Sequence, residues 1–321
     1  MVDKTFLHWP FFGDEHRDVR LRLKEFISRE LCAVDHGNID QACKKLVSAL
    51  GGANFLIYTG DPTGKLDVRT LCLIRETLAY HDGLADFSFA MQGLGSGAIS
   101  LYGSEEQKQE WLTKTRNGKA IAAFALTEPQ SGSDVANSTM TAIKDGNQFV
   151  LNGEKTWISN GGIADFYTVF ARTGEGPGAK GLSAFIVTPE VQGFDVIERL
   201  ETIAPHPLAR LKFSDCRIPA TSMIGEAGEG FKIAMSVLDI FRSSVGAAAL
   251  GFARRALDAT LARVEIREIQ GSKLSEMQMI QAHIADMAIA IDTSALLVYR
   301  AAWAKDQGPV SYTHLTLPTK A

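Results

Sequence analysis

The spacing of apolar residues changes twice along this chain of 321 residues, and that change limits the possible folds more than any other feature. Over residues 14–117 apolar side chains recur every three or four positions, as in Val68–Tyr80, which is typical of helices. Over residues 120–224 short apolar runs alternate with turn residues, which predicts strands. From Gly230 the helical spacing returns. The sequence therefore predicts an N-terminal all-α domain, a central antiparallel β sandwich or barrel domain, and an incomplete C-terminal α-helical bundle.

We set the domain boundaries where the spacing changes: an N-terminal helical domain over residues 1–121, a central β domain over 122–225, and a partial C-terminal helical bundle over 226–309. The bundle is expected to be incomplete because long helices with apolar faces need further partners to cover those faces in water. Residues 310–321 have no helical period and resemble a translated sequencing adapter, so we expect a non-native tail there.

Local signals give sharper expectations. Ser104 followed by Gln107 predicts a capping box at a helix start. Asn152-Gly153 predicts a tight hairpin turn between a strand at Gln148–Leu151 and another at Lys155–Ser159. Further short strands are predicted at Phe166–Ala171, Ser183–Val187 and Leu211–Phe213. The first long C-terminal helix is predicted to bury one apolar stripe made of Phe231, Met235, Leu238, Val245, Ala249, Phe252, Leu257, Leu261 and Val264.

Composition and charge argue against several functions. The formal net charge is −4, whereas nucleic-acid-binding proteins usually carry a basic excess. The sequence shows neither a signal peptide nor a long uninterrupted apolar run, so we expect a cytoplasmic protein with no membrane span, a mitochondrial matrix location being left open. The seven histidines show no metal-ligand spacing, and we expect no metal.

Two polar segments of the central region carry the chemistry. Phe124–Asp134 joins an apolar strand to a loop rich in hydroxyl groups, glycine and backbone N–H groups, which can bond to a planar heterocycle or to phosphate oxygens. Taken alone, this segment is explained equally well as a turn capped by Ser and Asp. Trp157–Gly162 offers an indole face with the Ser159 hydroxyl beside it, although an isolated Trp more often belongs to a core.

Together the two segments resemble the paired signatures of the acyl-CoA dehydrogenase family. Leu126-Thr-Glu-Pro-x-x-Gly-Ser-Asp134 and Asn152-Gly-x-Lys-x-Trp-Ile-Ser-Asn-Gly161 are similar to those signatures in order and spacing. The resemblance continues at Cys216-Arg-Ile-Pro219 and at Arg267-x-x-x-Gly271, which is followed by Gln278. It covers residues from about 70 to 309, and it implies FAD as the cofactor.

In that family FAD lies between the β domain and the C-terminal helices. The resemblance implies that the flavin and its phosphates contact Phe124, Leu126, Thr127, Gly132, Ser133, Trp157, Ile158 and Ser159. Arg267 and Gln278 match the segment that in the family reaches the FAD of a neighbouring subunit. Ser133 would also face the substrate. Asp239 and Arg242 match positions that bind CoA, although an ordinary ion pair on the surface of a helix explains them as well.

The resemblance implies FAD-dependent α,β-dehydrogenation of an acyl-CoA thioester to the trans-2-enoyl-CoA. This reaction needs a base over the α-carbon. In most family members the base is a glutamate that would lie beyond Pro309, and in a minority it occupies the helical position where this chain has Phe241. We therefore expect no catalytic base within these residues, and an inactive chain. The expected partners are an acyl-CoA substrate, an electron-transfer flavoprotein and identical subunits in a homotetramer.

Two other functions remain open at this point. Dehydrogenases that act on carrier-protein thioesters, and flavin monooxygenases, share the scaffold and its flavin signatures, because function depends on the site and not on the fold. The second possibility is a non-catalytic homologue that only binds flavin or a partner. The sequence predicts neither the length nor the branching of the acyl chain.

Overall fold

The computed structural model describes residues 5–31 and 34–308, and it has helices towards both ends of the sequence with a β sheet between them. This arrangement confirms the predicted fold class. The N-terminal helices are α1 (Asp14–Glu30), α2 (Ile39–Gly52), α3 (Val68–His81), α4 (Gly83–Tyr102), α5 (Glu105–Gln107) and α6 (Thr113–Arg116). A π-helical turn over Lys108–Leu112 joins α5 to α6. The C-terminal helices are α7 (Gly230–Ile266) and α8 (Gln278–Asp306).

The central region forms one eight-stranded sheet. Its strands are β1 (Ala122–Ala125), β2 (Thr141–Asp145), β3 (Gln148–Ser159), β4 (Phe166–Arg172), β5 (Leu182–Val187), β6 (Phe194–Arg199), β7 (Leu208–Pro219) and β8 (Met223–Ile224). The order is β6-β7-β3-β2-β4-β5-β8, and β1 pairs with β4. Most pairs are antiparallel, as predicted, but β4 runs parallel to both β1 and β2.

The chain packs as two compact units. Unit 1 consists of residues 1–32, 67–86 and 240–321, and unit 2 of residues 33–66 and 87–239. Unit 2 holds the whole eight-stranded sheet, whereas unit 1 holds α1, α3, α8 and most of α7. The domain boundaries proposed from the sequence stay predictions, and the expected tail at residues 310–321 lies outside the described residues.

The hairpin predicted at Asn152-Gly153 is wrong. β3 runs without a break from Gln148 to Ser159, and the turn lies earlier, at Gly146, whose φ is +61°. Asn152-Gly153 instead lies opposite a bulge in β7, where the backbone N–H of Asp215 donates to Oδ1 of Asn152 at 2.8 Å. A Cβ on Gly153 would lie 2.8 Å from Cβ of Met140, and the φ of Gly153 is +147°, so both close packing and backbone conformation favour glycine there.

The capping box predicted before α5 is confirmed. The backbone N–H of Gln107 donates to Oγ of Ser104 at 3.2 Å, and the N–H of Ser104 donates to Oε1 of Gln107 at 3.1 Å. Nε2 of Gln107 also donates to the carbonyl oxygens of Thr221 and Met223, at 2.9 and 2.8 Å. One side chain therefore caps a helix and fixes the chain next to β8.

The apolar stripe predicted on α7 is wrong in part. Val245 and Phe252 are 59% and 50% exposed, while Ser244 and Arg254 are buried. The polar residues lie inside because they find partners there: Oγ of Ser244 accepts a hydrogen bond from Nη1 of Arg75 at 3.0 Å. Spacing alone could not predict these partners, which lie on α3 far away in the sequence.

In the part of the chain that the structure describes, two helices, α7 and α8, are long and apolar enough to cross a membrane by length and composition alone. That is weak evidence, since core helices of soluble proteins pass the same test. In α7, half of the qualifying stretch is buried inside the protein.

Unit 1 buries an ionic cluster that joins three helices. Glu76 on α3 is 2% exposed; its Oε1 lies 3.0 Å from Nε of Arg254 on α7, and its Oε2 accepts a hydrogen bond from the hydroxyl of Tyr299 on α8. The ring of Phe6 lies under the guanidinium groups of Arg254 and Arg20, at 4.6 and 4.7 Å. Burial raises the pKa of Glu76, although the charge of Arg254 opposes that change.

The last residue of α8 caps the first turn of α3. The carboxylate of Asp306 accepts hydrogen bonds from the backbone N–H groups of Val68 and Arg69, at 2.8 and 3.2 Å, and from Nε of Arg69 at 2.6 Å. These N–H groups belong to the four at a helix start that have no partner within the helix. Asp306 therefore ties two ends of unit 1 that are far apart in sequence.

Candidate functional site

Side chains from α4 and from the turn between β3 and β4 fix the start of β1, the strand that leads into the first signature. Oε1 of Gln92 on α4 accepts from the backbone N–H of Ala122 at 3.1 Å, and Nδ2 of Asn160 donates to the Ala122 carbonyl at 2.8 Å. Oδ2 of Asp165 accepts from the N–H of Ile121 at 2.7 Å. Among the described strands β1 pairs with β4 alone, so these bonds replace part of a second ladder.

The loop that follows β1 is held by a buried ion pair, Glu128 with Lys155. Oε1 of Glu128 lies 2.9 Å from Nζ of Lys155 on β3, and the two side chains are 1% and 0% exposed. Nζ of Lys155 also donates to the carbonyl of Leu126 at 3.0 Å. Glu128 further accepts from the backbone N–H groups of Thr139 and Met140, at 2.6 and 3.1 Å. One carboxylate thus joins both ends of the loop to β3.

The hydrogen bonds around Glu128 set its charge. Burial alone would raise the pKa of this carboxyl group, but the charge of Lys155 and the donors at Thr139 and Met140 outweigh that effect, so the pKa lies below its usual value. Burial lowers the pKa of Lys155, and Glu128 opposes that change. An ionised pair without contact to water is the arrangement that these bonds favour.

Arg172 at the end of β4 holds the far side of the same loop. Its guanidinium group donates to the carbonyl oxygens of Ser138, Ala136 and Gly178, at 3.0, 2.8 and 3.1 Å. The planar fork of arginine suits several fixed acceptors at once. Together with Glu128, it fixes the loop from Leu126 to Met140 at several points, although much of the loop is exposed.

Trp157 has the most unusual geometry of the predicted site residues. Its φ is +58°, in the left-handed region, which is a genuine outlier for a bulky residue, and its side chain is 58% exposed. β3 has one extra residue at this place, because Lys155 pairs with Leu211 and Ile158 with Ala209. An exposed indole in a strained bulge makes Trp157 a functional candidate and not a core residue.

The two signature segments touch at the backbone. The N–H of Thr156 donates to the carbonyl of Thr127 at 2.9 Å. Thr127 is half-buried and lies close to Gly132, where an added Cβ would come 3.9 Å from the methyl group of Thr127. Thr127 and Trp157 are therefore neighbouring parts of one surface in unit 2.

The other flavin residues predicted in unit 2 divide by burial. Leu126 and Ile158 are 7% and 1% exposed, so their side chains lie in the interior and support the exposed surface of the site. Phe124 is half-buried, and its ring centroid lies 5.0 Å from that of Phe170. Gly132, Ser133 and the half-buried Ser159 leave backbone or hydroxyl groups open to solvent. Their role as flavin contacts stays a prediction.

The remaining predicted residues lie on the C-terminal helices and the hairpin between them. Arg267 follows α7 directly before the two-stranded hairpin β9 (Glu268–Ile269) and β10 (Ser272–Lys273), whose turn residues Gln270 and Gly271 have φ values of +53° and +84°. Gln278 begins α8. Asp239 and Arg242 lie on α7, the first half-buried and the second exposed. Their binding roles stay predictions.

Phe241, the position of the base in a minority of the family, is 4% exposed on α7. A phenyl ring cannot accept a proton. Among the described residues no group of three or more His, Cys, Asp or Glu side chains could hold a metal ion.

The exposed groups of this surface fit FAD. A planar heterocycle needs an aromatic or apolar face and hydrogen bonds at its edge, and a diphosphate needs hydroxyl and backbone donors in an open loop. Trp157 would supply the face, Thr127 and Ser159 would supply hydroxyl groups, and Gly132-Ser133 would supply the open loop.

The family assignment follows from comparison with known proteins. Family models for the N-terminal, middle and C-terminal domains of acyl-CoA dehydrogenases match residues 13–119, 123–216 and 228–319. The chain belongs to the acyl-CoA dehydrogenase family, an enzyme family, as the two signatures predicted.

Individual relatives agree with this assignment. A probable acyl-CoA dehydrogenase from Mycobacterium leprae is 36% identical over 303 residues, which span 92% of this chain and 78% of the relative. The structure of butyryl-CoA dehydrogenase from Megasphaera elsdenii has a TM-score of 0.83 and 33% identity, covering 93% of this chain and 81% of that one. The FAD complex of PigA has a TM-score of 0.85 and 26% identity, covering 93% and 81%.

The sequence predicted no role for Glu128, Lys155 or Arg172, although the first two belong to the signatures and the structure makes all three the supports of the loop. A signal for Lys155 was present. In β3, Phe149, Leu151 and Lys155 are separated by even numbers of positions, and alternate residues of a strand face the same side. A lysine on the inward side of an apolar strand predicts a buried partner.

Proposed function

We propose that the protein is an FAD-dependent dehydrogenase that converts an acyl-CoA thioester to the trans-2-enoyl-CoA. The observation that carries the proposal is the exposed, left-handed Trp157, whose neighbour Thr156 is hydrogen-bonded to Thr127 of the loop. Strain of this kind persists where the surrounding structure requires it, and it is common at ligand sites. Family membership supports the same function.

The chain's own residues bind and orient. Bound FAD would supply the chemistry of hydride acceptance from the β-carbon. Trp157 would cover one region of the ring, and the hydroxyl groups of Thr127 and Ser159 would bond to its edge. Gly132 and Ser133 would face the phosphates, and Ser133 also the substrate. Leu126 and Ile158 would exclude water from below, since both are buried.

For the substrate, we propose that Asp239 and Arg242 bind the CoA portion. Arg242 is exposed, so its guanidinium group is available to a polar ligand. The α-proton needs a carboxylate base, which we propose lies outside the described residues, because Phe241 is a hydrocarbon at the alternative position. An electron-transfer flavoprotein as acceptor and a homotetrameric assembly complete the proposal, and family membership supports both.

The first test is cofactor binding. The purified protein is titrated with FAD, and binding is followed by the change in flavin fluorescence and absorbance. Trp157→Ala should weaken FAD binding by at least about ten-fold, since loss of an aromatic face costs of the order of 1 kcal/mol or more. Trp111→Ala is the matched control. No FAD binding by the unaltered protein, even with excess FAD, would reject the proposal.

The second test separates substrate classes. The FAD-loaded protein is mixed anaerobically with CoA thioesters of different length and with the same acyl groups on a carrier protein, and perturbation of the flavin spectrum is recorded. CoA thioesters should perturb the spectrum at lower concentration, and Arg242→Ala should raise the concentration needed. A response to carrier-protein thioesters alone would favour that alternative. Rapid bleaching of the flavin by a CoA thioester in this assay, with Phe241→Ala bleaching equally fast, would locate a base elsewhere among the described residues and contradict this part of the proposal.

A further inference from the structure

We propose that Glu128 and Lys155 are positioning residues of the flavin site: their buried pair fastens the loop after β1 to β3 and thereby holds Thr127 and Trp157 in one ligand-binding surface. This inference rests on the proposed function and deepens it. Neither residue contacts the ligand in this account, since the side chains are 1% and 0% exposed. They act through the residues next to them.

The contacts of the pair define this role. Glu128 accepts hydrogen bonds from Nζ of Lys155 and from the backbone N–H groups of Thr139 and Met140. Lys155 donates in addition to the Leu126 carbonyl, one residue before Thr127. The pair therefore meets the beginning of the loop, its end and β3 at the same point. Each of these bonds has a fixed backbone atom or a charged group as partner, which makes it strong and directional.

The position along β3 connects the pair to Trp157. Lys155 is the last residue in regular pairing with β7, at Leu211, before the bulge. Thr156 then bonds to Thr127, and Trp157 takes the left-handed conformation. With Lys155 pulled inward and Thr156 tied to the loop, the following residue is turned outward. The pair thus stabilises the strained conformation that exposes the indole.

An ordinary structural ion pair is the alternative. Buried ion pairs often contribute no more stability than apolar residues of the same volume, although removing one partner alone is strongly destabilising. A purely structural pair would change FAD binding only in proportion to lost stability. A positioning pair changes FAD binding more than stability, and it changes the surroundings of the bound flavin ring.

The experiment uses four variants of the protein with FAD as the probe. Lys155→Met removes the ammonium group and keeps most of the volume. Glu128→Gln keeps the shape of the carboxylate and removes its charge. The double variant carries both changes. Leu46→Ala, a fully buried leucine on α2 in the same unit, is the stability control. For each we measure the FAD dissociation constant, thermal stability, and the visible circular dichroism of the flavin at FAD saturation.

Lys155→Met should raise the FAD dissociation constant by at least about ten-fold, and Glu128→Gln should raise it less. In the double variant the increase in the FAD dissociation constant should be smaller than the product of the two single increases. Removing both charges leaves no carboxylate unpaired. The flavin circular dichroism should change in all three and stay unchanged in Leu46→Ala.

If Lys155→Met does not fold, Glu128→Gln and its flavin spectrum decide the question. Variants that bind FAD as the unaltered protein does, or whose affinity falls only as far as in a control of equal stability, would overturn the positioning role. Failure of the unaltered protein to bind FAD would instead reject the proposed function itself.

Discussion

Each unit of the protein buries a glutamate beside a cation, but the two carboxylates are surrounded differently. In unit 2, Glu128 accepts hydrogen bonds from two backbone N–H groups as well as from Lys155. In unit 1, the contacts of Glu76 described above come from side chains, Arg254 and Tyr299. The pKa of Glu128 therefore lies below its usual value despite burial, whereas burial raises the pKa of Glu76.

This difference shows what each cluster stabilises. Backbone donors are fixed in space, so a carboxylate that binds them fixes the course of a loop. Side-chain donors from separate helices instead hold those helices together. The Glu128 cluster therefore determines the shape of a ligand-binding surface, while the Glu76 cluster determines the packing of α3, α7 and α8 in unit 1.

The largest effect should come from breaking the cluster of unit 1. Arg254→Met leaves the buried Glu76 without its nearest cation and should lower the free energy of unfolding by about 3–5 kcal/mol. Amide hydrogen exchange should accelerate in α3 and α8 more than in the loop of residues 126–140. Arg263→Met, an exposed arginine on the same helix, is the control and should change little. Equal acceleration in both units would show that the clusters are not separate.

A smaller effect is expected at the cap that α8 provides for α3. Asp306→Asn removes the charge that accepts from Val68 and Arg69, and the free energy of unfolding should fall by about 1–3 kcal/mol. Urea unfolding measures this change. Asp292→Asn, an exposed aspartate on α8, should have almost no effect. If both variants lost a similar free energy of unfolding, the cap by Asp306 would not be what stabilises unit 1.

Relief of the backbone strain at Trp157 should raise the free energy of unfolding by about 1 kcal/mol. Trp157→Gly allows the left-handed backbone without a clash, although the greater freedom of glycine in the unfolded chain reduces the gain. Trp157→Ala keeps the Cβ and should gain nothing. Both variants should lose FAD affinity. A glycine variant less stable than the alanine variant would show that the bulge is not strained.

The smallest effect is the opposite response of the two clusters to pH. The lowered pKa of Glu128 means that its stabilisation is present above the unfolded pKa and is lost as the pH falls through the folded value. The raised pKa of Glu76 means that its contribution is largest at low pH and declines as the pH rises towards the folded value.

These signs can be measured with two variants. The first comparison is the difference in unfolding free energy between the unaltered protein and Glu128→Gln. This difference should narrow as the pH falls from neutral to about pH 4, because the unaltered protein has a carboxyl group at position 128 that can take up a proton and the variant does not. The difference in unfolding free energy between the unaltered protein and Glu76→Gln should widen over the same fall in pH. Two differences that move in the same direction would contradict the comparison.

The sequence predicted the elements better than their tertiary partners. The helix expected at Val68–Tyr80 is Val68–His81 in the structure, because its apolar spacing and the cap at Asp67 are local properties. The turn expected at Asn152-Gly153 was wrong, because Asp215, distant in sequence, decides that geometry. Local pattern cannot represent such a contact.

The candidate site shows the same division. The signatures led to Thr127 and Trp157, whose residue types have an obvious use in ligand binding. Glu128 and Lys155 stand in the same signatures, but their residue types alone indicate no role, because their importance depends on burial and on each other. The left-handed backbone of Trp157 was not predictable either, since bulky residues rarely adopt it.

The discontinuous make-up of unit 1 has a consequence for the order of events during synthesis. Glu76 and the hydroxyl of Tyr299 are 223 positions apart. A ribosome that adds about 5–20 residues per second needs roughly 10–45 s to cover that distance, so α3 leaves the exit tunnel long before α8 exists. Meanwhile the strands of unit 2 are complete and can pair. The nascent chain therefore carries a folded sheet while the helices of unit 1 still lack α8. During this interval the uncovered helices are open to chaperone binding.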